Sequence, residues 1–193
     1  WLQAAKAGEP QTGIYAEDSH GDQLSPGWVR PATVGRMRLT RHSDYGLRML
    51  MYLAVEAASG PPSAEGRGPV RQVGQIATAY GISVHHLSKV AQTLVKAGFL
   101  VAVRGRSGGF RLSRPAAQIN VGDVIRATEP DFELADCFGG EDRCVIQRCC
   151  ELAGVLDDAK EAFMARLDAV TVDRLVAPKQ QMTIALRIDR TPA

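Results

Sequence analysis

The sequence has no long hydrophobic run, and none of its apolar stretches approaches the roughly 20 residues that a membrane-spanning helix requires. Its first residues also lack the order of charged, apolar and small residues that marks a secretory signal peptide. The 193 residues are 45% hydrophobic, which is enough for the core of one domain of ordinary size. We therefore expect a cytoplasmic protein that has no membrane partner.

Cysteine is missing from most of the chain. All four cysteines lie in one stretch of fourteen residues, at Cys137, Cys144, Cys149 and Cys150. In a reducing cytosol, such clustering favours a metal site, an iron–sulfur cluster or a redox switch over structural disulfides. Thiolates are the usual ligands of iron–sulfur clusters, and four of them can also hold tetrahedral zinc. The cysteines alone leave these alternatives open.

Acidic residues are absent from residues 66–122, a window that contains eight Lys or Arg side chains. From residue 123 to the end there are 14 acidic and nine basic residues. A basic block with an acidic remainder is the electrostatic pattern of a nucleic-acid-binding protein. A solvated basic face is the alternative, and the helical pattern inside the same block argues against it.

Residues 70–98 predict two helices that are joined by a turn at Gly81, the signature of a helix-turn-helix. Ser83 is a candidate N-cap of the second helix. An ordinary helical hairpin with solvated histidines is the alternative. We expect DNA contacts from the start and the outward face of the second helix, namely from Ser83, His85, His86 and Lys89.

A β-hairpin is predicted directly after the second helix, with strands at 99–103 and 110–113 and a Gly-rich turn between them. A hairpin in this place is a wing. We expect Arg104 and Arg106 at its tip to enter a minor groove, because arginines suit narrow minor grooves and glycines let the backbone come close. Arg38, ahead of the first predicted helix, is a further candidate for a DNA contact.

The fold class that we predict is mainly α-helical with a small β-wing: a winged helix-turn-helix head plus a long C-terminal dimerisation helix. The first helix is expected from an N-cap at Ser43 to about Ala58, and a short helix over Val121–Ala127 is capped by Asn120. The expected organisation is a disordered extension or non-native leader at 1–36, a DNA-binding domain at 37–129, a cysteine loop at 130–151, a dimerisation helix at 152–177 and a flexible tail at 178–193.

Four segments carry a resemblance to the bacterial winged-helix regulators that include IscR and NsrR. They are Met37–Thr40, Ser43–Arg48, Ala102–Gly109 and Cys144–Cys150. The resemblance covers about residues 37–178. It is closest to the nitric-oxide-sensing repressors of the NsrR branch, because of the Ser-Asp-Tyr-Gly-Leu-Arg sequence on the first helix.

The resemblance implies a homodimer that binds a double-stranded DNA operator and holds a 4Fe–4S or 2Fe–2S cluster. It implies that Cys137, Cys144 and Cys150 are ligands and that Asp44 is a fourth ligand, donated across the dimer. Cys149 stays an alternative ligand, because the gap between the first two cysteines is longer than usual in the family. In NsrR-like members nitric oxide attacks the cluster and DNA binding is lost.

Two other regulators remain as alternatives. One is an iron–sulfur status or redox regulator like IscR, and the other is a zinc- or thiol-based regulator. An enzyme is not expected, because the sequence has no phosphate-binding loop and no visible pairing of a nucleophile with a base.

Overall fold

A computed structural model of the chain describes residues 39–59, 67–129, 146 and 150–188. The elements in this part of the chain are, in order, α1 (Arg41–Ser59), α2 (Val73–Tyr80), α3 (Val84–Lys96), β1 (Leu100–Val103), β2 (Gly109–Leu112), a 3₁₀ turn (Ala116–Gln118), α4 (Val121–Thr128), α5 (Leu152–Asp168), α6 (Val172–Leu175) and α7 (Lys179–Ala185). None of the helices described is long and apolar enough to cross a membrane.

The core lies where α1, α3 and α4 meet, with α2 packed against α3. Apolar residues recur every three or four positions on each helix, so each one presents an apolar stripe to the others. Full burial of such a side chain contributes about 1.5–3 kcal/mol. The largest fully buried side chains include Met49, Leu50, Leu53, Ile76, Leu87, Leu94, Leu112, Ile119 and Ile125.

The first helix begins three residues earlier than the sequence predicts, and Ser43 is not its N-cap. Ser43 is fully buried inside α1. Thr40 takes the capping role instead, because its hydroxyl accepts a hydrogen bond from the Ser43 amide at 3.3 Å. Its carbonyl oxygen accepts one from the Asp44 amide at 3.1 Å. Both Thr and Ser suit an N-cap, and burial of Ser43 decides between them.

The helix-turn-helix is confirmed, with α2 and α3 as its two helices. Gly81 ends α2 in a left-handed conformation with a φ of 64°, which glycine adopts at little cost. Ser83 stands at the N-cap position of α3, although its side chain makes no capping hydrogen bond. The predicted cap of α4 is also present, because the side chain of Asn120 accepts hydrogen bonds from the amides of Gly122 and Asp123.

The wing is an antiparallel hairpin in which Leu100 pairs with Leu112 and Val103 pairs with Gly109. Gly105, in the connecting turn, has a φ of 116°, which side-chain-bearing residues rarely adopt. Ahead of α2, Arg71 forms an isolated antiparallel bridge with Phe110 and so extends the sheet by one position on the β2 side.

The C-terminal part differs from the single helix expected over 152–177. α5 ends at Asp168 because the chain then pairs with the segment ahead of α4: the Val121 amide bonds to the Val170 carbonyl, and the Val172 amide to the Ile119 carbonyl. Residues 178–188, expected to belong to a flexible tail, hold α7, which packs against α1. Leu186 and Ile188 are buried and belong to the core.

Candidate functional site

The outward face of α3 carries the residues that the sequence predicts as DNA contacts. Ser83, His85, His86 and Lys89 are all exposed, and the rings of the two histidines lie 6.2 Å apart. They face solvent because the opposite side of α3 is held in the core by its buried apolar residues. A helix anchored on one face and polar on the other has the form of a recognition helix in a major groove.

The wing tip holds Arg104 and Arg106, and both side chains are exposed. The amide of Gly108 donates a hydrogen bond to the carbonyl of Gly105 at 2.9 Å and closes the turn between them. A closed turn presents the two guanidinium groups from a small, fixed loop. The role of these arginines in DNA binding stays a prediction, as does that of the residues on α3.

Two arginines of the basic block are bonded internally. Arg71 donates from Nε and Nη2 to the two carboxylate oxygens of Glu56, at 2.7 and 2.8 Å. Arg114 donates to the carbonyls of Gln118 and Gly98 at 3.0 and 3.1 Å, and it lies over the ring of Phe99. The charge count from the sequence therefore overstates the positive charge that is available to a DNA partner.

One face of α1 carries a polar stripe with a spacing of four residues: Asp44, Arg48, Tyr52 and Glu56. We call these four residues the α1 stripe. Arg48 donates to Asp44 at 2.9 Å, and its guanidinium carbon lies 5.8 Å from the centre of the Tyr80 ring. The Tyr80 ring in turn meets the Tyr52 ring edge-on at 6.4 Å. The stripe thus connects the start of α1 to the end of α2.

Asp44 opens onto a cleft of about 510 Å³ between the start of α1 and the turn after α2. Its side chain is 43% exposed and that of Arg48 is 45% exposed. The hydrogen bond that Arg48 donates to Asp44 raises the pKa of the Arg48 guanidinium. Burial in the wall of the cleft raises the pKa of Tyr80 to about 12. At neutral pH the charged guanidinium of Arg48 and the neutral phenol of Tyr80 therefore lie beside Asp44 in the lining of the cleft.

Of the predicted cluster ligands, the structure describes Asp44 and Cys150. Cys150 is half-buried and comes two residues before α5. Cys137, Cys144 and Cys149 lie outside the described residues, as does Arg38. Within the described part of the chain, no three His, Cys, Asp or Glu side chains come together as a metal site. The ligand set inferred from the resemblance stays a prediction.

The junction between α4 and α5 contains an ion pair that the sequence did not reveal. Arg126 donates to both carboxylate oxygens of Asp168, at 2.8 and 2.6 Å. This hydrogen bond lowers the pKa of Asp168. A side chain at Gly122 would collide with that carboxylate, so glycine is needed for the close approach. The two partners are 42 residues apart in the sequence, and no local sequence pattern predicts such a pair.

Helix α5 carries large apolar side chains among its exposed residues. Leu152, Val155 and Phe163 have exposed fractions of 55%, 61% and 43%. None of the residues of α5 is classed as buried in the single chain. Large exposed apolar patches are typical of interaction sites in proteins.

Comparison with known proteins identifies the family. The family model Rrf2, described as an iron-dependent transcriptional regulator, matches residues 39–178. The HTH-type transcriptional regulator NsrR of Bacillus subtilis is 39% identical over 153 residues, which are 79% of this chain and 99% of the relative. NsrR of Halalkalibacterium halodurans is 35% identical, also over 153 residues, with the same coverage.

Solved structures agree with this result. IscR of T. potens is 26% identical, with a TM-score of 0.54, and the match covers 72% of this chain and 87% of that one. CymR of Staphylococcus aureus, crystallised in an oxidised form, is 25% identical with a TM-score of 0.54, over 73% of this chain and 97% of that one. The predicted fold class and the resemblance are confirmed. The chain therefore belongs to the Rrf2 family of DNA-binding transcriptional regulators, a function class distinct from enzymes.

Proposed function

We propose that this chain is a cytoplasmic transcriptional repressor that binds its operator as a homodimer and senses nitric oxide through an iron–sulfur cluster. The observation that carries the proposal is the position of Asp44. It lines an open cleft at the start of α1 with a side chain that is 43% exposed, on the head that also carries the proposed recognition helix.

DNA binding rests on α3 and the wing. The exposed side chains of His85, His86 and Lys89 reach base edges or phosphates from the major groove, and Arg104 and Arg106 enter the flanking minor groove. Ser83 and the first amides of α3 are suited to a phosphate, because the amides at a helix N-terminus attract anions. Two heads must engage half-sites about 34 Å apart, so their spacing controls affinity.

The homodimer rests on α5. Its exposed apolar side chains, Leu152, Val155 and Phe163, form a surface that a second copy of the same helix would cover. A two-fold interface uses the same patch on both subunits, and a helix pair is the simplest form of it.

The residues fit an iron–sulfur cluster by their donor chemistry. Cys137, Cys144 and Cys150 would supply three thiolates, and Asp44 of the other subunit would supply a carboxylate. Cys149 is the alternative to Cys150. When bound, the cluster supplies iron that nitric oxide can reach, especially at the more weakly held carboxylate position.

The ligands lie on parts of the chain that have to be kept in register for DNA binding. Asp44 belongs to the head, whereas Cys150 comes directly before the proposed dimerisation helix α5. If Asp44 and Cys150 bind the same cluster, the cluster fixes the position of the head relative to α5. Release of Asp44 returns it to its ion pair with Arg48, and the half-site spacing is no longer fixed. Two states of this kind, with different contacts, are what allosteric control requires.

The experiment is an elemental analysis joined to a binding assay. The full chain, purified without oxygen, is analysed for iron, acid-labile sulfide and zinc, and its affinity for DNA is measured before and after removal of the metal. Iron with sulfide, together with DNA binding that falls on removal, supports the proposal. Zinc without sulfide contradicts the cluster and favours the zinc-based alternative.

A thiol-based regulator is the second candidate, because the fold matches CymR, which has been crystallised in an oxidised form. Cys149 and Cys150 are adjacent, and clustered thiols are suited to oxidation. Reversible loss of DNA binding on oxidation of metal-free protein distinguishes this candidate. A cluster that resists nitric oxide and responds to iron supply or oxygen indicates the IscR-like alternative.

A further inference from the structure

The ion pair between Glu56 and Arg71 joins α1 to the wing. The side chain of Glu56 is 7% exposed, and Arg71 reaches it with a two-pronged hydrogen bond at 2.7 and 2.8 Å. This hydrogen bond raises the pKa of the Arg71 guanidinium. Planar, two-pronged pairing fixes direction as well as distance, which a single contact does not.

The backbone of the same arginine is bonded to the wing. The Arg71 amide donates to the Phe110 carbonyl at 2.9 Å, and the Phe110 amide donates back to the Arg71 carbonyl at 2.8 Å. Gly109 lies so close to this carbonyl that a side chain there would collide with it. Arg71 is therefore held by α1 through its side chain and holds the wing through its main chain.

This anchor acts near the tip of the wing. Phe110 lies opposite Ala102, one pair from the turn, whereas the other anchor acts at the base, where Ser113 and Arg114 bond to the Gly98 carbonyl. A strand of four residues is roughly 13 Å long, so a tilt of about 10° displaces the tip by about 2 Å. A displacement of this size breaks any hydrogen bond that the tip makes.

We propose that Glu56 and Arg71 are positioning residues for DNA binding: their ion pair sets the angle at which the wing presents Arg104 and Arg106 to the minor groove. This inference rests on the proposed contact between the wing and DNA. The two side chains are not expected to contact DNA themselves, because the guanidinium of Arg71 is bonded to both carboxylate oxygens of Glu56. Loss of one partner would leave a buried charge unpaired, which is strongly unfavourable, so the wing has one preferred orientation relative to α1.

The test compares four proteins on one DNA: wild type, E56A, the wing-tip variant R104A/R106A, and the combination of all three substitutions. The probe is a duplex of about 30 base pairs that the wild-type chain selects from a random pool, long enough for two half-sites about 34 Å apart. Affinity is measured over a series of salt concentrations, and hydroxyl-radical and methylation footprints report the minor and major grooves. Each variant is assayed below its melting temperature, which circular dichroism provides.

We expect E56A to lose the flanking minor-groove protection and to keep the major-groove protection. The salt dependence should weaken by about two ions per head, as in the wing-tip variant, because both changes remove the same two arginines from the DNA. In the combined variant the losses of affinity should not add. The two wing-tip arginines are already absent there, so a change in the angle of the wing has no further effect on DNA binding. If the ion pair only stabilised the fold, E56A would reduce the protection of the major and the minor groove together.

Two further variants complete the test: one breaks the same contact from the other side, and one is a control on α4. R71K retains a cation for Glu56 but cannot bond both oxygens, so it should reproduce E56A in a protein whose buried carboxylate is still paired. D123N removes an exposed ion pair on α4 and should leave both footprints unchanged. Full minor-groove protection in E56A and R71K, or additive effects in the combined variant, would overturn the inference while the wing contact stands. An ineffective R104A/R106A would overturn the wing contact itself, and the inference with it.

Discussion

The Nε atom of Arg48 lies 2.9 Å from Oδ1 of Asp44, one turn along α1, and both side chains are nearly half exposed. An exposed ion pair at this spacing contributes about 0.3–0.5 kcal/mol to stability. The carboxylate can therefore exchange Arg48 for another partner at little cost to the fold. Its place in the first turn of α1 adds a favourable interaction with the helix N-terminus.

Asp44→Asn should leave the fold almost unchanged and weaken the cluster. We expect the unfolding free energy to fall by less than about 1 kcal/mol, because an exposed pair and one helix-end charge are lost. Cluster loss to an iron chelator should become faster, because an amide is a poorer ligand than a carboxylate. Arg48→Gln is the matched control: it breaks the same ion pair and keeps the ligand. Equal chelation rates in the two variants would show that Asp44 is only a partner of Arg48.

Arg104→Ala and Arg106→Ala should each weaken DNA binding, and more strongly at low salt. The slope of log affinity against log salt concentration should fall by about one for each arginine, because each loses one phosphate-type contact. Fluorescence anisotropy with a labelled duplex at several salt concentrations gives the slope. Arg174→Ala, an exposed arginine on α6, removes the same charge away from the wing. A slope that changes equally in this control would point to net charge alone.

Val155→Asp should prevent dimerisation. Val155 is 61% exposed in the single chain, so the substitution costs the isolated fold little, whereas a buried charge at a dimer interface is strongly unfavourable. Sedimentation equilibrium should give a monomer, and DNA affinity should fall with it. Ala165→Asp places the same charge on another side of the same helix. Dimers of equal strength in both variants would place the interface elsewhere.

Asp168→Asn should change the pH dependence of stability. The hydrogen bond from Arg126 lowers the pKa of Asp168 below its ordinary value of 3.8, so the native state binds this proton less readily than the unfolded state. The stabilisation is present above the unfolded pKa and is lost as the pH falls through the lowered native pKa. Urea unfolding over pH should show a wild-type advantage that is constant near neutrality and shrinks below about pH 4.

Gly122→Ala tests the same ion pair by a second route. The added Cβ collides with the Asp168 carboxylate, so it should move Asp168 away from Arg126 and flatten the same part of the pH profile. Gly154→Ala is the matched control, because a Cβ there meets no atom within 4 Å. A profile for Gly122→Ala that still follows the wild type at acid pH would mean that the pair survives the substitution.

The sequence predicts the local elements well because local rules govern them. Gly81, Asn120 and the glycine-rich turn after β1 act within a few residues, and the structure places a helix end, a helix cap and a tight turn there. The start of α1 is displaced because Thr40 and Ser43 are equally suitable as caps. Ser43 is fully buried inside α1, so Thr40 is the cap. Burial depends on the packing of the whole fold and cannot be read from the local sequence.

The long-range pairs could not be predicted. Glu56 with Arg71, and Arg126 with Asp168, join elements that only the fold brings together. The C-terminal helix was expected to be continuous because its apolar spacing continues past Asp168. It is interrupted by hydrogen bonds from the Val121 amide to the Val170 carbonyl and from the Val172 amide to the Ile119 carbonyl. The proposed ligand role of Asp44 could not be read from its residue type either, because an acid in a first turn is ordinary.

The measurement that tests the central claim is a nitric oxide titration of the protein purified without oxygen. Absorbance of the cluster and affinity for the selected duplex are recorded at each addition. The account predicts that the cluster absorbance bleaches within a few equivalents and that DNA binding falls over the same additions. Bleaching with unchanged DNA binding, or a colourless protein that binds DNA with or without nitric oxide, would contradict it.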